Sequence, residues 1–148
     1  MKWKLSFFLL FNFTLLAYSQ KTNEAAKIIS LLEKESAAWR AGDGKGHADC
    51  WHIQQYSRIL ISTGNGTAID VPPAAMTNTD PKNMGNGGSS INTNYKMSIQ
   101  KTTAWVSHNE ISTAKDGTKS YSFEIRLLEK IKRRWKLVGQ SIHVYKIE

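Results

Sequence analysis

Two long runs of alternating apolar and polar positions close the chain. The first is Y-S-F-E-I-R-L-L-E-K-I from Tyr121, the second R-W-K-L-V-G-Q-S-I-H-V-Y from Arg134, with Lys132 and Arg133 between them. Period-two runs of this length predict strands, and their adjacency predicts a hairpin. A two-residue turn at Lys132-Arg133 sets Glu129 opposite Lys136, Leu127 opposite Val138, Ile125 opposite Gln140, Phe123 opposite Ile142 and Tyr121 opposite Val144. A slip by one residue would pair Lys130 with Lys136 and mix the faces, so the first register is preferred. It predicts an apolar face turned to the core. The mixed face of Ser122, Glu124, Arg126, Ser141 and His143 is predicted to be a solvated or partner-facing surface. Lys-Arg is a poor choice for a tight turn, which favours Asn-Gly, so a loop of four or five residues in the same register is the alternative.

Upstream, the pattern changes from period two to helical spacing. Thr22 and Asn23 can cap a helix from about 24 to 41, with Ala25, Ile28, Ile29, Leu32 and Trp39 on one stripe. Gly42 ends it. Glu35 falls on the flank of that stripe. It is either a carboxylate reaching past the edge to solvent or one that enters a cavity. Asp43 is placed to cap a short second helix over about 44–52, whose inner edge carries Ala48 and Trp51. Gln55 to Thr63 reads as a strand, Asn65-Gly66 as a turn, and Ala68 to Val71 as a short return. Pro72-Pro73 opens a helical turn through Met76. Residues 77–94 are dominated by Asn, Thr, Gly, Ser, Asp and Pro and read as a loop, either a lid or a disordered segment. Gly85-Asn86-Gly87-Gly88 lacks the Lys-Ser/Thr of a phosphate loop and reads as a linker. Strands follow at 94–99 and 103–113. In the second of these, Ala104, Val106 and His108 share one face and Trp105 and Ile111 the other. Asp116-Gly117 turns into the final hairpin.

Composition adds an export signal. Met1-Lys-Trp-Lys is basic, Leu5 to Leu16 is mainly apolar, and Ala17-Tyr18-Ser19 puts small residues before a cut at Gln20. The reading is a leader over 1–19, one domain over 20–148, and a periplasmic or extracellular destination with no stable membrane insertion after cleavage. The formal charge is +8, and removal of Lys2 and Lys4 with the leader lowers it to +6. Cys50 is the one cysteine, which excludes an intrachain disulfide and suits a buried small hydrophobe. His47 and His52 are five apart and lack a Cys or acidic partner at ligand spacing, so no metal site and no cofactor is expected. Lys130, Lys132, Arg133, Arg134 and Lys136 make the hairpin tip basic. Export and the lack of interleaved aromatics argue against a nucleic-acid partner.

The segments T-T-A-W-V-S-H-N-E at 102–110, D-G at 116–117, S-F-E-I-R-L-L-E-K at 122–130 and W-K-L-V-G-Q-S at 135–141, with W-R-A-G-D at 39–43, together resemble the nuclear-transport-factor-2-like superfamily. The likeness is to its SnoaL-like and ketosteroid-isomerase-like bacterial relatives, which often show A-x-V on a central strand, L-x-K at a strand end and G-x-W-K-I opening the last strand. Arg133 stands here in place of that Gly. The resemblance implies an α+β cone, a curved antiparallel sheet wrapped around N-terminal helices. A pocket at the open end and a homodimer through the outer face of the sheet are implied with it. It does not choose between catalysis and binding. The Asp base with Tyr and acid donors of the well-studied isomerases has no matching motif here.

Two readings of function therefore stand. One is an exported SnoaL-like domain that binds a small apolar molecule or acts as an accessory. The other is an isomerase, dehydratase or cyclase using an acid or base in the cone. For the enzyme, Glu35 and Tyr56 are the candidate catalytic pair. Trp39, Asp43, Trp51 and Gln140 are the pocket candidates, while Glu124, Arg126, Ser141 and His143 are the surface or dimer candidates.

Overall fold

A computed structural model describes residues 4–85 and 87–148, with side chains from residue 23 onward. The leader expected over 1–19 lies outside the residues whose side chains are described, as does Asn86 of the glycine-rich run. Helix α1 spans Lys4–Ala41 and ends at Gly42, whose φ of 69° suits glycine. Helical backbone runs through 22 and 23, so the cap expected there does not begin the helix. Helix α2, Gly44–Ala48, is capped by Asp43, which accepts from the Gly46 N–H at 2.8 Å. Strands β1 (Ile59–Ser62) and β2 (Ala68–Val71) form a small hairpin. Helix α3 is the short turn Ala75–Asn78. Strands β3 (Ser89–Ile99), β4 (Thr103–Thr113), β5 (Lys119–Ile131) and β6 (Arg134–Ile147) complete the chain.

These strands join one sheet in the order β2-β1-β6-β5-β4-β3. The pairings are antiparallel except β1 with β6, which run parallel. The architecture is α+β, as expected. Helices cover one face of the sheet. Ile28 and Leu32 of α1 meet Cys50, Trp51, Ile59, Val106, Leu128, Trp135 and Leu137 in one core. Glu24 fixes the helix to the hairpin end: it accepts from Trp135 Nε1 at 2.7 Å and pairs with Lys130 Nζ at 2.5 Å. The Lys130 hydrogen bond, then that of Lys27, hold the Glu24 carboxyl down at about 2.

The β5–β6 turn is the tight one: Lys132 and Arg133 both take positive φ, 46° and 69°, as a two-residue type I′ turn requires. The expected register holds next to it, with Glu129 opposite Lys136 and Leu128 opposite Leu137. It then changes. A bulge sets Leu127 opposite Gly139, Arg126 opposite Gln140 and Glu124 opposite Ile142, and a second shift follows between Tyr121 and Ser122. The slipped register thus governs the middle of the hairpin, from Ser122 to Leu127, because an inserted residue lets both registers coexist in one ladder.

The faces of β5 are the reverse of those expected. Phe123 and Leu127 are 51% and 47% exposed on the outer side, while Glu124, Arg126 and Ser122 are buried on the inner side. Glu124 and Arg126 are therefore not surface or dimer residues. Ser141 and His143 do face outward, where His143 Nδ1 lies 2.7 Å from Ser62 Oγ. The loop expected over 77–94 is shorter than its composition suggests. Strand β3 begins at Ser89, Met84 is buried, and the Gly87 N–H donates to the Arg40 carbonyl at 2.7 Å. Any Cβ on Gly85 would lie 3.1 Å from the Trp39 ring, so this segment packs on the end of α1.

Candidate functional site

The inner face of the sheet and the end of α1 enclose a cavity of about 240 Å³. Register explains its lining. Ser122, Glu124 and Arg126 alternate along β5, and Glu110 and Ser112 along β4 stand opposite Ser122 and Ser120. On the other side, Ile59 and Ile61 of β1 and Gln140, Ile142 and Val144 of β6 share the same inner face. Helix α1 contributes Glu35, Ser36, Trp39 and Arg40, one turn apart, and α2 contributes His47. The cavity is therefore two-sided, with an aliphatic wall at β1–β6 and a hydroxyl- and charge-bearing wall at β4–β5.

Glu35, 4% exposed, is the centre of a buried network. Its Oε1 accepts from His47 Nε2 at 2.9 Å and from Trp51 Nε1 at 3.2 Å, and its Oε2 from Arg126 at 3.3 Å. Arg126 also donates to Glu124 Oε2, and Ser122 donates to Glu124 Oε1 at 3.1 Å. Burial alone would raise the Glu35 carboxyl. The Arg126 charge, then the His47 hydrogen bond and charge and the Trp51 hydrogen bond, outweigh it and hold Glu35 below the ordinary carboxylate value. His47 Nδ1 lies 2.9 Å from the Met76 carbonyl, which can only accept. The ionised Glu35 can only accept as well. Both ring nitrogens therefore face acceptors, which only a doubly protonated ring satisfies together.

Glu110 is the opposite case. Its carboxyl lines the same cavity but receives no hydrogen bond among the described residues. Burial first, and the neighbouring Glu124 charge second, push it up to about 7, against the pull of Arg126 and Arg40. Behind it, His108 is 3% exposed with neither ring nitrogen partnered among the described residues, and its Nε2 lies 3.7 Å from Glu124 Oε2. Burial lowers His108 against the Glu124 charge, so the ring is neutral at pH 7. Tyr95 OH, Asn92 Oδ1 and Arg126 Nε are also buried without partners among the described residues.

The residues singled out from the sequence separate clearly once placed in space. Glu35, Trp39 and Gln140 line the cavity. Trp51 lies behind Glu35 and orients it. Tyr56 does not join them: it is 64% exposed and its hydroxyl bonds Glu129 at 2.5 Å on the surface. Asp43 is the α2 cap and faces solvent, so it is no pocket residue. His47, Glu110 and Arg40 escape a reading of the sequence. A signal for Glu110 is nevertheless present: it sits two residues from His108 on the face that also holds Ala104 and Val106, so joining the Asp116-Gly117 hairpin to the last one places it inside.

No family model matches the chain, and no curated protein matches it. Solved structures do. An NTF2-like protein of unknown function from Shewanella oneidensis is 17% identical over 81% of this chain and 98% of its own, with a TM-score of 0.59. An NTF2-like protein with a cystatin-like fold from Novosphingobium aromaticivorans is 14% identical, covers 88% and 87%, and has a TM-score of 0.64. A second protein from that organism, provisionally named a scytalone dehydratase, is 12% identical, covers 88% and 90%, and has a TM-score of 0.65. The fold is the NTF2-like, cystatin-like fold.

Proposed function

We propose that this protein is a SnoaL-like binding domain, exported by its leader, that holds a small molecule with an apolar body and a polar end. The observation that carries this is the two-sided cavity. A ligand can lay its hydrocarbon against Ile59, Ile61, Ile142 and Val144 while its polar end meets Ser112, Ser122 and Glu110. A homodimer through the outer face of the sheet is part of the reading. Trp105, Phe123, Ile125, Leu127 and Tyr145 are exposed there, a row of large apolar side chains that a partner would cover. Native mass spectrometry of the mature protein tests both at once. Two copies carrying a co-purified small molecule are expected, and an empty monomer would count against the proposal.

Glu110 favours a second reading, an isomerase- or dehydratase-type enzyme. A carboxyl poised near neutrality on a cavity wall can give or take a proton at pH 7, which a general acid–base catalyst needs. Glu35 is unsuited to that task, because its oxygens are engaged by three donors and its proton is already lost. In this reading Glu35 positions Arg126 and His47, and Glu110 moves the proton. The dehydratase name given to one structural neighbour lies within this class of chemistry. On an identified substrate, Glu110→Gln should remove the turnover, with a pH–rate limb near 7 in the parent. Full activity in that variant would assign the proton to another group.

A further inference from the structure

Among the described residues, six ionisable groups line the cavity: Glu35, Arg40, His47, Glu110, Glu124 and Arg126. Two of the cations are matched. Arg126 pairs with Glu35 and Glu124, and His47 pairs with Glu35. Arg40 is not matched. One of its guanidinium nitrogens donates to Ser36 and, at 2.7 Å, to Ser90, both neutral, and it forms no ion pair among the described residues. Arg126 and His47 are thus set against Glu35 and Glu124, which leaves Arg40 and Glu110 as the two unmatched groups. That pair is neutral with Glu110 ionised and carries one positive charge with Glu110 protonated.

Register places the two unmatched groups together. Ser90, which Arg40 holds, pairs with Ser112, and Ser112 pairs with Ser120. The next inward-facing row is Asn92, Glu110 and Ser122, about 7 Å along the strands. A group seated between those rows reaches Arg40 on one side and Glu110 on the other, with the aliphatic wall opposite.

We propose that the cavity takes a small monocarboxylate with an apolar body, its carboxylate paired with Arg40, and that Glu110 gains a proton as the ligand binds. This rests on the binding reading above and names its ligand class. A monoanion suits the single unmatched cation. A second negative charge would stand unpaired beside Glu35 and Glu124, which Arg126 and His47 already neutralise. The proton follows from the same count. With the carboxylate bound and Glu110 ionised, the cavity would hold a net negative charge in a partly buried site; one proton from solvent restores neutrality and gives Glu110 an O–H to share with the ligand. The groups facing Glu110 are Glu35 and Arg40 from α1, His47 from α2, Asn92 and Tyr95 from β3, His108 from β4, and Glu124 and Arg126 from β5. Among the described residues, strands β1 and β6 present only Ile59, Ile61, Gln140, Ile142 and Val144 to the cavity. Within this set Glu110 is the carboxyl pushed up to about 7.

The test is calorimetric titration of the whole mature protein with hexanoate and cinnamate, and with hexanamide and cinnamamide as neutral counterparts. Two buffers of different ionisation enthalpy count protons. The carboxylates should bind at least about tenfold more tightly than the amides, with uptake approaching one proton per ligand at about pH 8. Affinity should weaken towards about tenfold per pH unit above about 7. Glu110→Gln should abolish the uptake and the pH dependence and keep the binding. Arg40→Leu should lose the carboxylate preference, and Arg40→Lys should retain it. Equal binding of acid and amide, or carboxylate binding without proton uptake in the parent protein, overturns the inference and leaves the binding reading standing. Failure of all four compounds to bind overturns both.

Discussion

Glu35 and Glu110 face one cavity from opposite supports, and their surroundings drive them apart. Glu35 projects from a helix into three donors and two cations, and is held ionised below its ordinary range. Glu110 projects from a strand into the cavity itself, beside Glu124, and stays protonated up to about 7. Burial raises both carboxyls; the partners decide the outcome. One carboxylate is a structural anion that organises the site. The other is the group left free to respond to what enters it.

Removing each side chain should expose the difference most strongly. Glu35→Ala leaves His47 buried without its carboxylate and Arg126 with Glu124 alone, and should cost about 3–5 kcal/mol in urea unfolding. Glu110→Ala strands nothing, and above neutral pH it removes an unpartnered buried charge, so it should be near neutral or stabilising there. Equal losses in the two variants would break the comparison.

The next effect is in the pH dependence, where the two groups have opposite signs. Because Glu35 is lowered in the folded state, its contribution is present above the unfolded value and lost as pH falls through the folded one. Because Glu110 is raised, its contribution is present below the unfolded value near 4.5 and lost as pH rises towards about 7, a change of about 3 kcal/mol. Unfolding midpoints of the parent and of Glu110→Gln should diverge over that window. Parallel curves would show that Glu110 is solvated like any surface carboxylate.

Much of the fold was legible in the chain. Asp43 reads as a cap and serves as one, Gly42 ends the helix, and β4 to β6 fall where alternation puts them. The inner and outer faces of β5 read in reverse, for a physical reason. Alternation identifies two faces but does not say which is interior, and hydrophobicity alone chooses Phe123, Ile125 and Leu127. Here the interior holds a charged network, so the more polar face of β5 turns inward around Leu128. The bulge near Val138 was also hidden, since an inserted residue leaves no mark in a period-two pattern except a change of phase. Tyr56 is suggested by residue type alone, without a register to place it, and it lies on the surface.

Smaller effects lie away from the cavity. Lys132 and Arg133 hold positive φ at a cost that Asn-Gly would relieve, so replacing both should stabilise the hairpin by about 1–2 kcal/mol in urea unfolding. No gain would mean that the turn sits outside the left-handed region. Tyr56→Phe should leave both the unfolding midpoint and any ligand affinity unchanged, because its hydrogen bond to Glu129 is exposed and remote from the site. A loss of affinity would bring Tyr56 back into the site.

The most direct measurement is a carbon-detected NMR titration of the side-chain carboxyls in protein labelled at glutamate. One resonance should titrate near 7 and vanish in Glu110→Gln, while the Glu35 resonance, identified by its loss in Glu35→Gln, should remain that of a carboxylate well below the ordinary range. A spectrum in which every glutamate titrates at ordinary values, or in which the high-titrating signal survives the Glu110 substitution, would contradict the division of roles between the two.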